Sequence, residues 1–440
     1  MKGVSPYSEY KDSKIPWVGA IPKEWNVSPL FSVAHESRSK NSEDSETNLL
    51  SLSYGRIIRK DINAVGGLLP ASFSTYQIVR QDDIVLRLTD LQNDKRSLRS
   101  AIVPERGIIT SAYLALSPTQ VGPRFLSYLL RSYDLQKVFY SMGGGLRQSM
   151  QFWDLKWLPI VLPSVTTQES IVHYLDRETA KIDELTAKQE RLIELLAEKR
   201  QAIITQAVTK GLGHSVPTKP SGIPWVPASP IHWTASRIKW THPKQESGTS
   251  VNGTDVPAGS GHIGVLKTGA VSKGYFLASS SKTVVPEDVD RATCPVRGGT
   301  LIVNRANTPD LVGSTGVPET DIPTLFLSDK LWQIEFKEAN TRFMYWWTKT
   351  DGYRSQIQFR RVGASSSMQN LSYSDFLTVD LAVPPLSEQG EIARYLDGRT
   401  KQLDTLALKA QQAISLLRER RSALISAAVT GKIDVREMAA

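Results

Sequence analysis

Basic and amide side chains gather in several segments of this sequence that are also rich in turn-forming residues. Arginine can bind guanine through two hydrogen bonds, asparagine and glutamine can bind adenine in the same way, and lysine mostly contacts phosphate. Such clusters could contact the bases and backbone of DNA, and a solvated charged surface would give the same pattern. The candidate contacts are Arg56, Arg59, Lys60, Arg87, Arg96, Arg99, Arg147 and Gln148 in the first half of the chain, and Lys267, Lys273, Arg305, Asn307, Arg354, Arg360, Arg361 and Gln369 in the second.

The motifs of a self-sufficient enzyme are missing from the sequence. There is no Asn/Asp-Pro-Pro-aromatic segment, no glycine-rich cofactor loop after a strand and no G-x4-G-K-[ST] phosphate loop. Asp154-Leu155-Lys156 matches part of a nuclease motif, but it lacks the preceding Pro-Asp and is better explained as the last turn of a globular segment. The histidines are scattered, and none forms a metal-binding pair with Cys294. We therefore expect no catalytic residue, no metal and no bound cofactor in this chain.

Composition and charge place the chain in a broad class. Its 440 residues exceed one ordinary domain, and a single cysteine excludes internal disulfides. No run approaches the roughly 18 apolar residues of a membrane helix, and the N-terminus lacks the apolar core of a signal peptide. The net charge is +9, with most of the surplus in residues 1–164 and 211–385. We expect a cytoplasmic protein, and the basic surplus is compatible with a nucleic-acid partner.

The sequence repeats itself over a period of more than 200 residues. Ile15-Pro16-Trp17-Val18 returns 208 residues later as Ile223-Pro224-Trp225-Val226, and Tyr174-Leu175-Asp176 returns 221 residues later as Tyr395-Leu396-Asp397. Gln168 has its counterpart in Gln389 at the second offset. The length of the period indicates a domain duplication rather than a solenoid of short repeats.

Each copy ends in a segment that predicts one long helix. Residues 166–210 contain no proline or glycine, and their apolar residues follow a heptad spacing. Thr166 and Glu169 suit a capping box at the start, and Gly211 and Gly431 suit the two helix ends. Some 45 residues make a rod of about 65–70 Å, which needs a partner along its length. The predicted seam comprises Ile171, Leu175, Ile182, Leu185, Leu192, Leu196 and Ile203, and Ile392, Leu396, Leu403, Leu406, Leu417 and Leu424.

The two globular segments show short strand patterns followed by a helix. The strands are predicted at 48–53, 83–88 and 108–116 in the first copy, and at 262–267, 300–303 and 325–336 in the second. The helices are predicted at 123–140 and 341–359. We predict a mixed α/β (α+β) fold: two globular copies separated by two long helices, which form an antiparallel coiled coil with internal pseudo-twofold symmetry. The tryptophan–proline segments that open each copy are predicted to pack in the core.

The doubled set of motifs resembles the specificity subunits of type I restriction–modification systems. The resemblance rests on Pro163-x4-Gln168-x2-Ile171 with Tyr174-Leu175-Asp176, and on the same pattern from Pro384 to Asp397. It covers nearly the whole chain. It divides the chain into a first target recognition domain at residues 1–162, a spacer helix at 163–211, a second target recognition domain at 212–383 and a second spacer helix at 384–440.

The resemblance also implies a function and a set of partners. Each recognition domain would read one part of a bipartite, asymmetric target in double-stranded DNA. The helices would set the spacing and dock methyltransferase subunits, usually two, which bind S-adenosylmethionine and methylate adenine. A motor–nuclease subunit that uses ATP and Mg²⁺ could join this complex. The chain itself would be non-catalytic.

Two other interpretations remain compatible with the sequence. The chain could be the recognition portion of a single-chain or type II-like restriction–methylation enzyme, which would methylate DNA when supplied alone with S-adenosylmethionine. It could also be a coiled-coil scaffold with no role on DNA. Salt-dependent DNA binding by the assembled complex would exclude the scaffold.

Overall fold

The protein was analysed as a computed structural model. The structure describes residues 5–63, 70, 72–91, 98–142, 149–213, 215–223, 225–259, 261–365 and 368–438. Two compact units can be distinguished, unit 1 (Met1–Glu190 with Gln411–Ala440) and unit 2 (Arg191–Ala410). Each unit therefore combines one globular domain with a segment of each long helix. In the described ranges, no helix has the length and apolar character needed to cross a membrane.

The two long helices extend over Val165–Lys210 and Leu386–Val429. Ser164, rather than the expected Thr166, caps the first helix, because its hydroxyl accepts a hydrogen bond from the Thr167 amide at 3.3 Å. The helices end where predicted, since Gly211 and Gly431 have φ of +76° and +69°. These left-handed conformations are easily adopted by glycine and terminate an α-helix.

Within each unit the two helical segments pack antiparallel. In unit 1, Arg421 contacts Asp183 at 3.0 Å and Arg418 contacts Glu190 at 3.3 Å, so the residue numbers fall along one helix as they rise along the other. In unit 2, Arg200 contacts Asp404 at 3.1 Å. The Asp183–Arg421 and Asp404–Arg200 pairs are the same pair at the repeat offset of 221 residues.

The predicted seam is correct near the globular domains and wrong towards the helix centres. Ten of its members are buried or half-buried. In contrast, Leu185, Leu192 and Leu406 are 46%, 40% and 49% exposed. The heptad pattern predicted burial of these leucines, but the helix residues that join the large cores are those packed against a globular domain. A paired helix alone covers only a narrow stripe.

A four-stranded antiparallel sheet forms the centre of the globular domain in unit 1. Its order is Ala34–Glu36, Leu114–Pro118, Ile84–Leu86, Ser100–Ile102. The remaining strands are Tyr10–Asp12, Ala20–Pro22, Asn26–Pro29, Leu50–Ser53, Arg56–Arg59, Gln77–Val79, Gly107–Ile109 and Pro159–Leu162, and the shorter helices are Leu30–Val33, Pro123–Leu135, Val138–Ser141, Phe152–Leu155 and Arg436–Met438.

The globular domain of unit 2 has a comparable four-stranded sheet. Its order is Pro243–Ser247, Leu331–Phe336, Leu301–Asn304, Thr315–Gly316. The other strands are Thr218–Ile223, Val226–Pro230, Thr234–Arg237, Gly253–Thr254, Gly264–Leu266, Ser281–Val284, Pro295–Val296, Ala306–Asn307, Ile322–Phe326, Val362–Ser365, Met368–Asn370 and Asp380–Val383, and the shorter helices are Ile238–Thr241, Gly269–Ser272, Pro286–Arg291, Thr341–Trp347, Asp351–Arg360 and Tyr373–Leu377.

Four predicted elements are each two elements in the structure. The helix expected at 123–140 is the helix Pro123–Leu135 followed by the short helix Val138–Ser141, with Lys137 between them at a φ of +63°. The strand expected at 108–116 is divided by a turn in which the Tyr113 amide donates to the Thr110 carbonyl at 3.2 Å. The strand expected at 325–336 is divided by a turn at Ser328, whose carbonyl accepts from the Leu331 amide. The helix expected at 341–359 is interrupted before Thr350, whose hydroxyl caps the next helix through the Tyr353 amide. Local side-chain and turn hydrogen bonds override the apolar pattern at these points.

Candidate nucleic-acid interface

A buried glutamine joins each globular domain to its long helix. In unit 1, Gln168 Oε1 accepts from the Gly122 amide at 2.8 Å, and its Nε2 donates to the Pro163 carbonyl at 2.9 Å. In unit 2, Gln389 Oε1 accepts from the Asn340 amide at 2.8 Å, and its Nε2 donates to the carbonyl of Pro384 at 2.9 Å. Both glutamines thus bind the residue that precedes a helix of the globular domain. The repeated glutamine motif is therefore a structural anchor.

A repeated aspartate makes the second anchor. Asp176 accepts from Arg124 Nη2 at 2.7 Å and from the Tyr128 hydroxyl at 2.8 Å. The equivalent Asp397 accepts from Arg342 and from Trp346 Nε1, the latter at 2.8 Å. Both partners lie on the same globular helix in each unit. The aspartate of the Tyr-Leu-Asp motif thus orients a globular domain on the long helix.

Replacing Gln389 by alanine is expected to destabilise unit 2 by about 1–3 kcal/mol. The substitution leaves the buried Asn340 amide and Pro384 carbonyl without these partners, and an unsatisfied buried polar group carries its full desolvation cost. Urea unfolding of the purified chain measures the effect. Gln412→Ala, which changes an exposed glutamine of the same helix, serves as the control and should stay within about 0.5 kcal/mol of the parent. Equal stabilities of the two variants would contradict the anchoring role.

Each unit also places a buried cation beside the paired helices. Arg131 donates to the carbonyls of Gly55 and Ser100 in unit 1. Lys349 donates to the Thr315 carbonyl at 2.8 Å in unit 2. Burial lowers the pKa of Arg131 to about 10, and burial with three neighbouring arginines holds the pKa of Lys349 well below its usual range. These cations connect the globular helix to a strand or turn, so we assign them a structural role.

Arg99 must be removed from the candidate DNA contacts. Its side chain is completely buried. The guanidinium donates to the carbonyls of Arg87, Thr89 and Asp90 and to the Tyr140 hydroxyl. A buried arginine that satisfies backbone carbonyls stabilises the domain and cannot reach a DNA groove. The basic character of its sequence neighbourhood gave no sign of this burial.

Two further candidates are bound within their own domain. Arg354 donates to the carbonyls of Val312 and Asp310, both at 2.7 Å. Arg360 donates to the hydroxyl and carbonyl of Thr378 and to the Gln356 carbonyl. Their guanidinium groups are therefore largely engaged in hydrogen bonds within the domain.

Other candidates lie at the surface in ion pairs or as exposed cations. Arg56 approaches Asp183 at 3.6 Å, Arg59 pairs with Glu105, and Lys267 pairs with Asp255 at 2.7 Å. Exposed ion pairs contribute little to stability, so these cations can exchange partners at low cost. Lys60 and Lys273 are exposed, and Arg87 is half-buried. Arg96, Arg147 and Gln148 fall outside the described residues.

The structure brings together several candidates of unit 2 on a small sheet. Its strands are Ala306–Asn307, Met368–Asn370 and Val362–Ser365, with Met368–Asn370 in the centre. Asn307 lies directly opposite Gln369 in the antiparallel register. Arg305 and Arg361 immediately precede two of the strands. We call this arrangement the amide sheet.

Three residues of the amide sheet were missed by the sequence analysis. Val362, Met368 and Asn370 are exposed, and none of them belongs to the basic clusters that guided the candidate choice. The repeat could have pointed to two of them, Met368 and Asn370. At the offset of 221 residues, Met368-Gln369-Asn370 aligns with Arg147-Gln148-Ser149, so both residues differ between the copies and flank a shared glutamine. Positions that differ between two copies around a shared glutamine are expected of surfaces that bind different targets.

These features define a class of protein: an internally duplicated chain whose two globular domains carry different polar surfaces and share the same helix anchors. Residues 267–415 match the family model described as "Type I restriction modification DNA specificity domain". The EcoEI specificity subunit of Escherichia coli is 24% identical over 203 residues, which cover 46% of this chain and 34% of that subunit. The EcoKI specificity subunit of E. coli K12 is 21% identical over 287 residues, covering 64% of this chain and 59% of the subunit. The alignments thus span less than two thirds of these relatives.

A solved structure shares the fold over most of the chain. A chain from a study of complex assembly and conformational transition in the type I R-M system aligns with 93% of this chain and 98% of its own length, at a TM-score of 0.68 and 15% identity. The chain is thus similar in sequence to type I restriction enzyme specificity subunits, and its residues 267–415 match the DNA specificity domain of that family.

Proposed function

We propose that this chain is the DNA sequence-specificity subunit of a type I restriction–modification complex. Each globular domain binds one half of a bipartite, asymmetric target in double-stranded DNA. The observation that carries the proposal is the double anchor: glutamine and aspartate fasten both domains to their helices in the same way. Two domains that are anchored to their helices by the same contacts, but that differ in their surfaces, suit two half-sites of different sequence.

The exposed leucines of the long helices support two equivalent docking positions for methyltransferase subunits. Leu185 and Leu406 are counterparts at the repeat offset, and so are Leu195 and Leu416, and all four are exposed. Each unit thus presents one leucine from each helix. Exposed apolar side chains that recur in both copies are typical of a surface that binds a partner. The finer proposal is one methyltransferase subunit for each unit.

The chemistry in this proposal belongs to the partner subunits. S-adenosylmethionine would bind to the methyltransferases, which methylate adenine, and ATP and Mg²⁺ to a motor–nuclease subunit where one joins the complex. The described residues contain no cluster of three or more histidine, cysteine, aspartate or glutamate side chains suited to a metal. The contribution of this chain is to select the DNA site.

A single-molecule methylation map of host DNA tests the proposal. The host is compared with and without the gene for this chain while the other subunits remain. We expect an adenine motif made of two short half-sites and a fixed gap, present only with the chain. A contiguous motif, or a bipartite motif that persists after deletion of the chain, would refute the proposed function.

A further inference from the structure

The amide sheet of unit 2 presents two faces with different composition. Neighbouring residues on a strand point to opposite faces, and residues directly opposite each other share one. Met368 and Asn370 therefore lie on one face, and Gln369 lies on the other with Asn307. Val362 is opposite Asn370 and joins the first face. We call Val362, Met368 and Asn370 the reading face.

The reading face combines apolar and polar side chains. Its three members are exposed to solvent, whereas Ala306, which pairs with Asn370 on the neighbouring strand, is buried. Val362 is 68% exposed and Met368 is 39% exposed. Asn370 is exposed too, and its carboxamide has no hydrogen-bond partner among the residues that the structure describes. Two exposed apolar side chains therefore share a face with the exposed amide, Val362 through direct strand pairing with Asn370 and Met368 through the alternation of the same strand.

The opposite face of the same sheet is already engaged. Gln369 Nε2 donates to the Gly363 carbonyl at 3.0 Å, and the Asn307 carboxamide contacts Ser272 and the Thr308 amide. Both carboxamides thus have partners within their own domain. The reading face thus carries the amide that is available to a ligand, although Asn307 and Gln369 matched the sequence criterion better.

The chemistry of the reading face fits one base pair. An asparagine carboxamide can accept from adenine N6 and donate to adenine N7, and aliphatic side chains contact the thymine methyl group. Both features lie in the major groove, whose width admits a two-stranded β-ribbon.

Cations at the margin of the amide sheet suit the DNA backbone. Arg361 directly precedes Val362. Arg305 directly precedes the first strand, and its amide donates to the carbonyl of the exposed Lys330 at 3.0 Å. Both arginines are half-buried, so what they contribute is positive charge beside the sheet, and such charge favours a partner whose groove is bordered by phosphates. An uncharged apolar partner would gain nothing from these cations.

We propose that Asn370, flanked by Val362 and Met368, reads an adenine–thymine pair in the half-site bound by the second recognition domain. This inference rests on the proposed function and deepens it by naming a base pair and the residues that select it. The positive charge beside the sheet favours a groove bordered by phosphates, and the reading face supplies the discrimination between base pairs.

The test uses the methylation map with Asn370→Ala in the full chain and its native complex. We expect one A·T position in one half-site to become degenerate, with at least about a tenfold loss of discrimination, while the other half-site stays unchanged. Met368→Ala should relax the same position independently, because it removes the contact to the thymine methyl. The half-site of the first domain serves as an internal control in every sample.

A matched control is Asn26→Ala, which changes an exposed strand asparagine in the other globular domain and should leave the motif intact. Urea unfolding of each variant verifies that it is folded. If the parent chain gives no bipartite motif, the proposed function fails. If the parent gives the motif and both reading-face variants retain it, the inference alone fails. Relaxation at a G·C position or in both half-sites would also overturn it.

Discussion

Replacing Trp233 by alanine is expected to destabilise unit 2 by about 3–5 kcal/mol, a large fraction of the stability of a typical domain. Trp233 is completely buried in the core of unit 2. It packs beside Gly211, the residue that ends the first long helix, and its Nε1 donates to Glu388 at 3.2 Å near the start of the second. The substitution leaves a large cavity and removes the contacts that the Trp233 side chain makes with both helices.

Comparison with an exposed tryptophan separates burial from residue type. Trp240 lies in the same globular domain and is 59% exposed, so Trp240→Ala should change stability by no more than about 0.5 kcal/mol. Trp233→Phe should fall between the two, because it keeps most of the volume and loses the bond to Glu388. Urea unfolding followed by far-ultraviolet circular dichroism measures all three variants. Similar midpoints for Trp233→Ala and Trp240→Ala would contradict the role of Trp233.

Local sequence patterns were sufficient to predict the long helices, their ends and part of the core. The tryptophan–proline segments were expected to pack in the core: Trp25 and Trp233 are fully buried, whereas Trp17 and Trp225 are half-buried. The long helices and their glycine ends follow from the absence of proline and from heptad spacing, which are properties of neighbouring residues. Such features depend on short-range geometry, and the sequence displays that geometry directly.

Burial of individual polar and apolar residues depends on contacts between residues distant in sequence, which local patterns do not reveal. Arg99 looked like a surface cation, but the fold places it against carbonyls ten residues upstream and a tyrosine far downstream. Leu185 and Leu406 follow the heptad but lie where no globular domain covers them. The reading face was missed because composition cannot tell which side of a strand faces solvent.

The role of the long helices as a spacer can be tested by lengthening both of them. We expect seven residues inserted after Glu190 and seven after Ala410 to lengthen the gap between the half-sites by up to about three base pairs. Seven helical residues add about 10.5 Å, and base pairs are about 3.4 Å apart. These insertion points are the boundaries of the two units, so the pairs Asp183–Arg421 and Arg200–Asp404 each stay within their own unit.

A heptad is preferred to a shorter insertion because it rotates the following residues by only about 20° from their original direction. The methylation map reads the gap directly. The same seven residues inserted after Asp61, which lies in a loop of the first recognition domain, lengthen the chain without lengthening a helix and should leave the gap unchanged. A folded, active double-insertion variant with the parental gap would mean that the helices do not set the distance between half-sites. The spacing would then have to come from the partner subunits, because both recognition domains would retain their own anchors.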